Sequence, residues 1–422
     1  MLIPFVNRFI HWAIVGVMSP ILVLMIMSKG VPVEGAGIVL AAMSAAVILF
    51  ELPSGVLSDL VGRRRVYLVS IAIAASGYAL MLSADGFAGV VVAAALYGVS
   101  RAFSSGSIEA LYIDAYIERR GKDRLHSLMT AMGVAETLGL AIGALGGGAI
   151  PVLWKRLHPQ ANPYNGNLVV QIALLAALFC MTLFTSRRDG PRREDRHSGE
   201  HSTGTRLTVL LREAVSTMHG NGTIVRLLAG AAFWGLSFSA IELYWQPRLR
   251  GILGGADATW IFGFVNAACF AAAVAGNVII GAALRKARPR SGMAIIGVLR
   301  IIAGCSILAL AMQGAVPGFV ALFLAVMCCN GMMSVPEATV FNTEVPPSAR
   351  ASFLSIASLS VQLGGIVSSL AFSTALRFIS IDAVWVIAGA LLFGSAFLYL
   401  GKGRRASVPA ASPGSASVGV AD

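Results

Sequence analysis

Apolar runs alternate with short polar turns along nearly the whole chain, and this alternation is its dominant pattern. A helix of about 20 apolar residues rises 1.5 Å per residue and matches the ~30 Å hydrocarbon thickness of a bilayer. Twelve such spans are predicted, at 9–28, 35–57, 66–83, 87–116, 127–151, 167–185, 225–247, 258–283, 292–313, 317–342, 351–376 and 382–400. The turn after the second span stands out. Gly35 to Phe50 carries no charge and a new apolar run starts at Val66, yet the stretch between holds Glu51, Asp59, Gly62, Arg63, Arg64 and Arg65. Two spans joined by a tight basic turn are predicted there, and the positive-inside rule places that turn in the cytoplasm.

Charge tests this orientation. With both termini inside, 24 of the 32 Lys and Arg fall in cytoplasmic segments, Arg8 among them. Six fall in external loops, and Arg101 and Arg300 fall inside spans. Trp154, Trp245, Trp260 and Trp385 lie near external span ends and Trp12 near a cytoplasmic one, the placement of an aromatic belt. Only Trp234 sits mid-span.

Composition narrows the function class. The chain is 57% hydrophobic and 12% charged, far more apolar than a soluble domain. Its formal charge of +12 resides mostly in short loops between spans, which points to membrane topology rather than to nucleic acid. The five cysteines all lie inside apolar runs without a CxxC pair or a histidine cluster, so neither a disulfide framework nor a metal site is expected. No Walker-type phosphate loop is present, so ATP is not the expected energy source and no cofactor is expected. The N-terminal MLIPFVNR reads as no cleaved leader. Abundant Ala, Gly and Arg suits a bacterial inner membrane.

Residues 186–222 interrupt the pattern and divide the spans six and six. The segment is charged and Gly/Ser-rich, then turns amphipathic from Arg206 to Met218, as either an interfacial or a solvated helix would. The expected organisation is a six-helix bundle over 1–185, a cytoplasmic linker over 186–222, a second bundle over 223–400, and a disordered tail over 401–422. The halves echo each other. Glu109, Ala110 and Asp114 in span 4 match Glu337, Ala338 and Asn342 in span 10 at an offset of 228. Such weak repeats are how many transporters encode a central cavity.

The segment Gly55-x-Leu57-x-Asp59-x-x-Gly62-Arg63-Arg64 resembles the signature loop between helices 2 and 3 of the major facilitator superfamily, with Ser58 in place of the common alanine. The resemblance implies an all-α polytopic fold of 12 transmembrane helices in two pseudo-symmetric bundles, both termini inside, which rocks between two states around a central site. It also implies a cytoplasmic gate. Asp59 would meet the start of span 11 near Arg350, where a helix dipole favours a carboxylate. Arg63 and Arg64 would reach Glu109, Asp114 or Glu118, and Glu51 and Glu337 would belong to the same gate.

Charges inside a bilayer cost at least ~2.5 kcal/mol each at the centre and are functional candidates by default. Arg101 resembles the buried arginine of the helix-4 motif in proton-coupled drug exporters, although Gly106 follows one residue late. Glu136 in span 5 is the nearest partner for it in sequence. Gly139-x-x-x-Gly143-Ala144-x-Gly146-Gly147-Gly148 resembles the helix-5 antiporter motif with Ala144 for proline, and small residues at this spacing also serve plain helix packing. Trp234, Phe238 and Glu242 recur at i, i+4 and i+8, an aromatic stripe ending in a carboxylate that suits an apolar or cationic substrate. Arg300 lies close enough to the cytoplasmic end of span 9 for its side chain to snorkel.

The expected activity is proton-coupled export of small hydrophobic or cationic compounds by a monomer, with the proton gradient as energy source and no catalytic residues. An importer or facilitator of a sugar, metabolite or organic anion is the alternative, with Arg101 binding a substrate carboxylate. A non-transporting membrane sensor is a more remote one. An intramembrane enzyme is disfavoured, because the spans hold no HExxH and no Ser/His pair.

Overall fold

The computed structural model describes residues 2–105, 107–121, 125–185, 222–255, 258–286, 292–345 and 350–400. The side chains of Leu52, Asp59, Arg119, Lys286, Arg350, Ala351, Ser352 and Ser355 are outside that set. The expected Asp59–Arg350 contact, the amphipathic linker helix and the tail therefore lie outside the described residues.

Fifteen helices are present among the described residues. In the first half they are α1 (Leu2–Met18), α2 (Leu22–Ser28), α3 (Val33–Val61), α4 (Arg63–Ser83), α5 (Phe87–Ser104), α6 (Ser107–Arg120), α7 (Leu125–Leu157) and α8 (Asn165–Thr185). In the second they are α9 (Gly222–Ile252), α10 (Thr259–Lys286), α11 (Gly292–Ala311), α12 (Val316–Glu344), α13 (Arg350–Ala375), α14 (Ile381–Ser395) and α15 (Phe397–Leu400). Eleven candidate spans are long and apolar enough to cross a membrane, and α1 with α2, bent by 51°, make a twelfth.

Three predicted spans are built differently from expectation. Span 1 starts at Leu2 rather than residue 9, which brings Asn7 and Arg8 into the bundle. It breaks at Ser19 to Ile21, where Pro20 has no N–H to donate to the helical ladder. Span 4 is two helices, so Arg101 lies in the last turn of α5 rather than mid-helix. The basic turn contracts to a single residue, Gly62, whose φ of +104° admits a glycine and strains any other residue. The three arginines thus open α4 at the positive end of its dipole, an unfavourable place that needs compensating partners.

Each half repeats one packing scheme. In the first, α1 lies on α7, α3 on α5 and α4 on α8; in the second, α9 lies on α13, α10 on α12 and α11 on α14. Glycines set the closest approaches. Gly139, Gly143 and Gly147 of α7 face the carbonyls of Phe9, Ala13 and Val17 on α1. The second half has an aromatic core in which Trp245 stacks near Phe262 and Phe323, and Trp385 near Phe319. Both tryptophans are buried, and the Trp385 indole donates to the Ala240 carbonyl at 3.1 Å. That corrects the aromatic-belt expectation for these two, because core packing took them instead; Trp260 remains exposed.

Among the described residues, the halves meet at the end opposite the basic turn. α7 packs on α10, where a Cβ on Gly148 would fall 2.7 Å from the Gly263 Cα, and α3 packs on α13. Ser19 donates to Asn266 at 2.5 Å, Gln246 donates to the Ser19 carbonyl and accepts from the Val23 N–H, and Thr259 donates to the Gly148 carbonyl. These are all the hydrogen bonds between halves whose two partners are both described, and they lie at the end opposite the basic turn.

Candidate functional site

Near the basic turn, α1, α6 and α7 bring three charges together. Arg8 donates to Glu136 at 2.7 Å and to Glu109 at 3.0 Å, and its guanidinium sits 5.4 Å from the Trp12 ring. The glycine face of α7 positions the triad: backbone contact at Gly139 draws α1 in one turn beyond Glu136. Three side chains, two of them carboxylates, form a cluster with one net negative charge. Each is 20–32% exposed, so the cluster is half-buried rather than sealed.

The expected pairing of Glu136 with Arg101 is therefore corrected. Glu136 takes Arg8, which reaches it because α1 extends farther than the apolar run predicts. The Arg101 guanidinium makes no hydrogen bond or ion pair among the described residues and is exposed. Its charge bears on Glu242 of α9, and on His11 and Tyr78 of the first half. On α9, Trp234 stacks on Phe238 with centroids 5.1 Å apart and planes at 21°, and Glu242 is exposed one turn farther along the same face.

Around the basic turn, Arg63 pairs with Asp114 of α6 at 2.6 Å. Arg64 is buried and donates to the carbonyls of Thr182 and Leu183 at the C-terminal end of α8. A cation at that negative dipole end offsets its poor position at the start of α4. Gly55 has open space where a Cβ would point, and the Glu51 side chain is exposed without an ion pair among the described residues.

In the second half, Arg300 is completely buried and does not snorkel, contrary to expectation. It donates to Glu337 of α12 at 3.2 Å and to Ser395 of α14 at 3.0 Å, and lies 4.7 Å from the Tyr399 ring. Glu337, expected at the cytoplasmic gate, is held by its own half. Glu337, Ser395 and the Tyr399 ring, from three helices, hold the guanidinium, so its side chain need not reach for water.

Sequence reasoning missed Arg8 and a polar chain beside it. His11 Nδ1 lies 3.1 Å from the Tyr67 hydroxyl, Tyr67 lies 3.3 Å from Asn7 Oδ1, and Asn7 Nδ2 donates to Thr182 at 3.0 Å. The available signal was three polar residues, Asn7, Arg8 and His11, within the first apolar run.

Comparison with known proteins bears on the whole assembly. The profile described as Major Facilitator Superfamily matches residues 5–369. An uncharacterized MFS-type transporter, YxaM of Bacillus subtilis (strain 168), is 24% identical over 244 residues, 56% of this chain and 55% of that protein. The match therefore spans about half the length of that relative. Among solved structures, the nucleoside transporter NupG superimposes with a TM-score of 0.74 at 15% identity, covering 94% of this chain and 98% of that one. A bacterial homologue of the human lysosomal transporter Spinster, inward-facing and occupied, gives 0.70 at 14% identity, covering 94% and 93%. At these identities the structural likeness concerns the fold.

Proposed function

The chain belongs to the Major Facilitator Superfamily and is a multi-pass secondary transporter, and from that premise we propose that it exports small hydrophobic or cationic compounds in exchange for protons. The observation that carries this reading is the Arg8 triad. One guanidinium shared by two carboxylates leaves a negative charge within the bundle, and one proton neutralises it. A site that takes a proton in one state and gives it up in another is what coupling requires.

The interior surface supports the substrate class. The Trp234–Phe238 stack offers an apolar and π-rich face, and Glu242 offers a counter-charge beside it. With the halves joined opposite the basic turn, this surface opens toward the cytoplasm when the basic turn is inside, in an inner membrane oriented by the positive-inside rule. Alternating access then breaks the Ser19–Asn266 and Gly148–Gly263 contacts while the gate around Asp59, Arg63, Arg64, Asp114 and Arg350 closes. In this reading Arg101 and Glu242 supply the two charged poles of the site.

Everted membrane vesicles test the reading. An imposed pH gradient is followed while a panel of lipophilic cations and metabolites is added. Substrate-dependent collapse that Glu136→Gln abolishes supports antiport. No response, with the protein present in the membrane, rejects it.

One observation favours a second reading. Arg101 is exposed and without an ion pair among the described residues, as a residue that receives a substrate carboxylate would be. In that case right-side-out vesicles accumulate an organic anion, and Arg101→Gln abolishes uptake.

A further inference from the structure

Only six cations lie in the predicted external loops, where the positive-inside rule makes them scarce, and two of the six are consecutive, Lys155 and Arg156. Both stand in the last turn of α7. Elsewhere at this end cations are held by the fold: Arg248 pairs with Asp382 at 2.6 Å, and Lys29 donates to the Leu82 carbonyl at 2.9 Å. Arg156 is exposed and makes no hydrogen bond or ion pair among the described residues.

Lys155 and Arg156 line a pocket of about 240 Å³, together with Pro151 of α7, Tyr164 and, from the second half, Thr259. Thr259 opens α10. The negative end of α7 favours cations at this place, the positive end of α10 beside it does not, and an anion between them relieves the conflict. Acids are few here. Residues 158–164 hold none and residues 253–258 hold only Asp257, which leaves positive charge in excess.

An apolar cleft of about 590 Å³ adjoins this pocket. Trp260 follows Thr259 directly, and Trp260 and Phe264, both more than half exposed, form one wall of the cleft. Val316, Val320 and Leu324 of α12 form the other, and every residue lining it is apolar. Helix spacing sets the heights. Gly148 meets Gly263 in antiparallel helices, so Thr259 stands ~6 Å and Arg156 ~12 Å outward of that contact. The cations therefore lie about one turn above Trp260, at headgroup level, with the cleft below them in the hydrocarbon.

We propose that this place binds one anionic phospholipid of the external leaflet, its phosphate at Lys155, Arg156 and the start of α10, and an acyl chain in the cleft between α10 and α12. Charge complementarity identifies the head, and the apolar lining that continues from it identifies the tail. The head rests chiefly on the first half and the tail on the second. Both ends are seated only while Gly148 meets Gly263, so the lipid favours the form in which the halves are joined there.

Native mass spectrometry of the full-length protein tests this, in detergent mixed with phosphatidylglycerol and phosphatidylcholine of the same acyl chains. One phosphatidylglycerol is expected to be retained in preference to phosphatidylcholine. Arg156→Gln removes an exposed charge and is expected to lower its retention about fivefold, the effect of one cation near an anionic lipid. Ala321→Phe fills the cleft and is expected to lower it as well, while Arg377→Gln, another external cation, leaves it unchanged. Equal retention of the two lipids, wild-type retention in Arg156→Gln or Ala321→Phe, or an equal loss in Arg377→Gln overturns the proposal. Displacement of the lipid by added inorganic phosphate would identify a soluble anion as the occupant and overturns it too.

Spin labels at Gln160→Cys and Met312→Cys, in a background without the native cysteines, read the joint in nanodiscs. Replacing phosphatidylcholine with phosphatidylglycerol is expected to raise the share of the short distance, and not to do so in Arg156→Gln. Distances indifferent to the lipid overturn the bridge between the halves. Neither measurement uses a substrate, a proton gradient or a direction of transport, so its failure is distinct from failure of the export reading.

Discussion

Arg8 joins Glu136 at 2.7 Å across 128 residues of sequence, and the same guanidinium holds Glu109 at 3.0 Å. Glu109 and Glu337 match between the halves, and both receive an arginine, but the second comes from α11 rather than from the counterpart of α1. The repeat preserved the carboxylate and its need for a cation while the source of that cation diverged.

The triad makes an asymmetric prediction. Arg8→Gln leaves two carboxylates facing each other, whereas Glu136→Gln leaves a complete pair between Arg8 and Glu109. Breaking a fully buried pair costs about 3–5 kcal/mol, and the partial exposure here reduces that to about 1–2 kcal/mol for Arg8→Gln. Glu136→Gln is expected to cost less. Thermal unfolding of purified protein in one detergent orders the two variants, and Arg8→Gln/Glu136→Gln is expected to recover part of the loss.

Arg300 has no water to fall back on. Glu337→Gln removes the counter-charge of a completely buried cation, and because Glu337 itself is 39% exposed a loss of about 1–3 kcal/mol is expected from that change alone. Arg300→Met/Glu337→Gln removes the charge and its partner together and is expected to unfold later than the single variant. A double variant no more stable than Glu337→Gln would show that the pair does not set local stability.

Gly62 does not have the backbone for a side chain. Its φ of +104° strains a residue with a Cβ by about 1–3 kcal/mol. Gly62→Ala is expected to weaken the Arg63–Asp114 pair by tilting the start of α4. Disulfide trapping between cysteines placed at 63 and 114 reads this as a slower rate.

Glu242 and Trp234 are expected to act on different substrates. Glu242→Gln removes the counter-charge and is predicted to reduce export of cations at least tenfold while sparing neutral apolar compounds. Trp234→Ala removes half of the stack and is predicted to weaken both. Initial rates in everted vesicles over a matched cationic and neutral pair separate the two effects.

The span count was legible because uncharged runs such as Gly35 to Phe50 leave no other reading in a chain of this composition. Ends and partners were harder. Asn7, Arg8 and His11 read as a polar flank, yet α1 encloses them because α7 supplies a glycine face along which the helix lies. Glu136 was matched to Arg101 because hairpin neighbours are what sequence distance favours, whereas its partner came from a helix whose approach depends on Gly139. Trp245 and Trp385 stood where a belt belongs, and only the packed rings of Phe262, Phe319 and Phe323 show that they are core. Arg63 with Asp114 was readable from the turn and its neighbours; the polar chain from His11 through Tyr67 and Asn7 to Thr182 was not, since it joins side chains of α1, α4 and α8.

The joint at Gly148 and Gly263 is backbone against backbone, while charge pairs crowd the far end around Arg8, Arg63 and Asp114. Contacts of the first kind are indifferent to dissolved ions, and half-exposed pairs of the second kind are screened by them. All of these pairs lie within the first half, so salt added to the compartment that bathes the basic turn loosens the end of one bundle and leaves the joint between the bundles untouched.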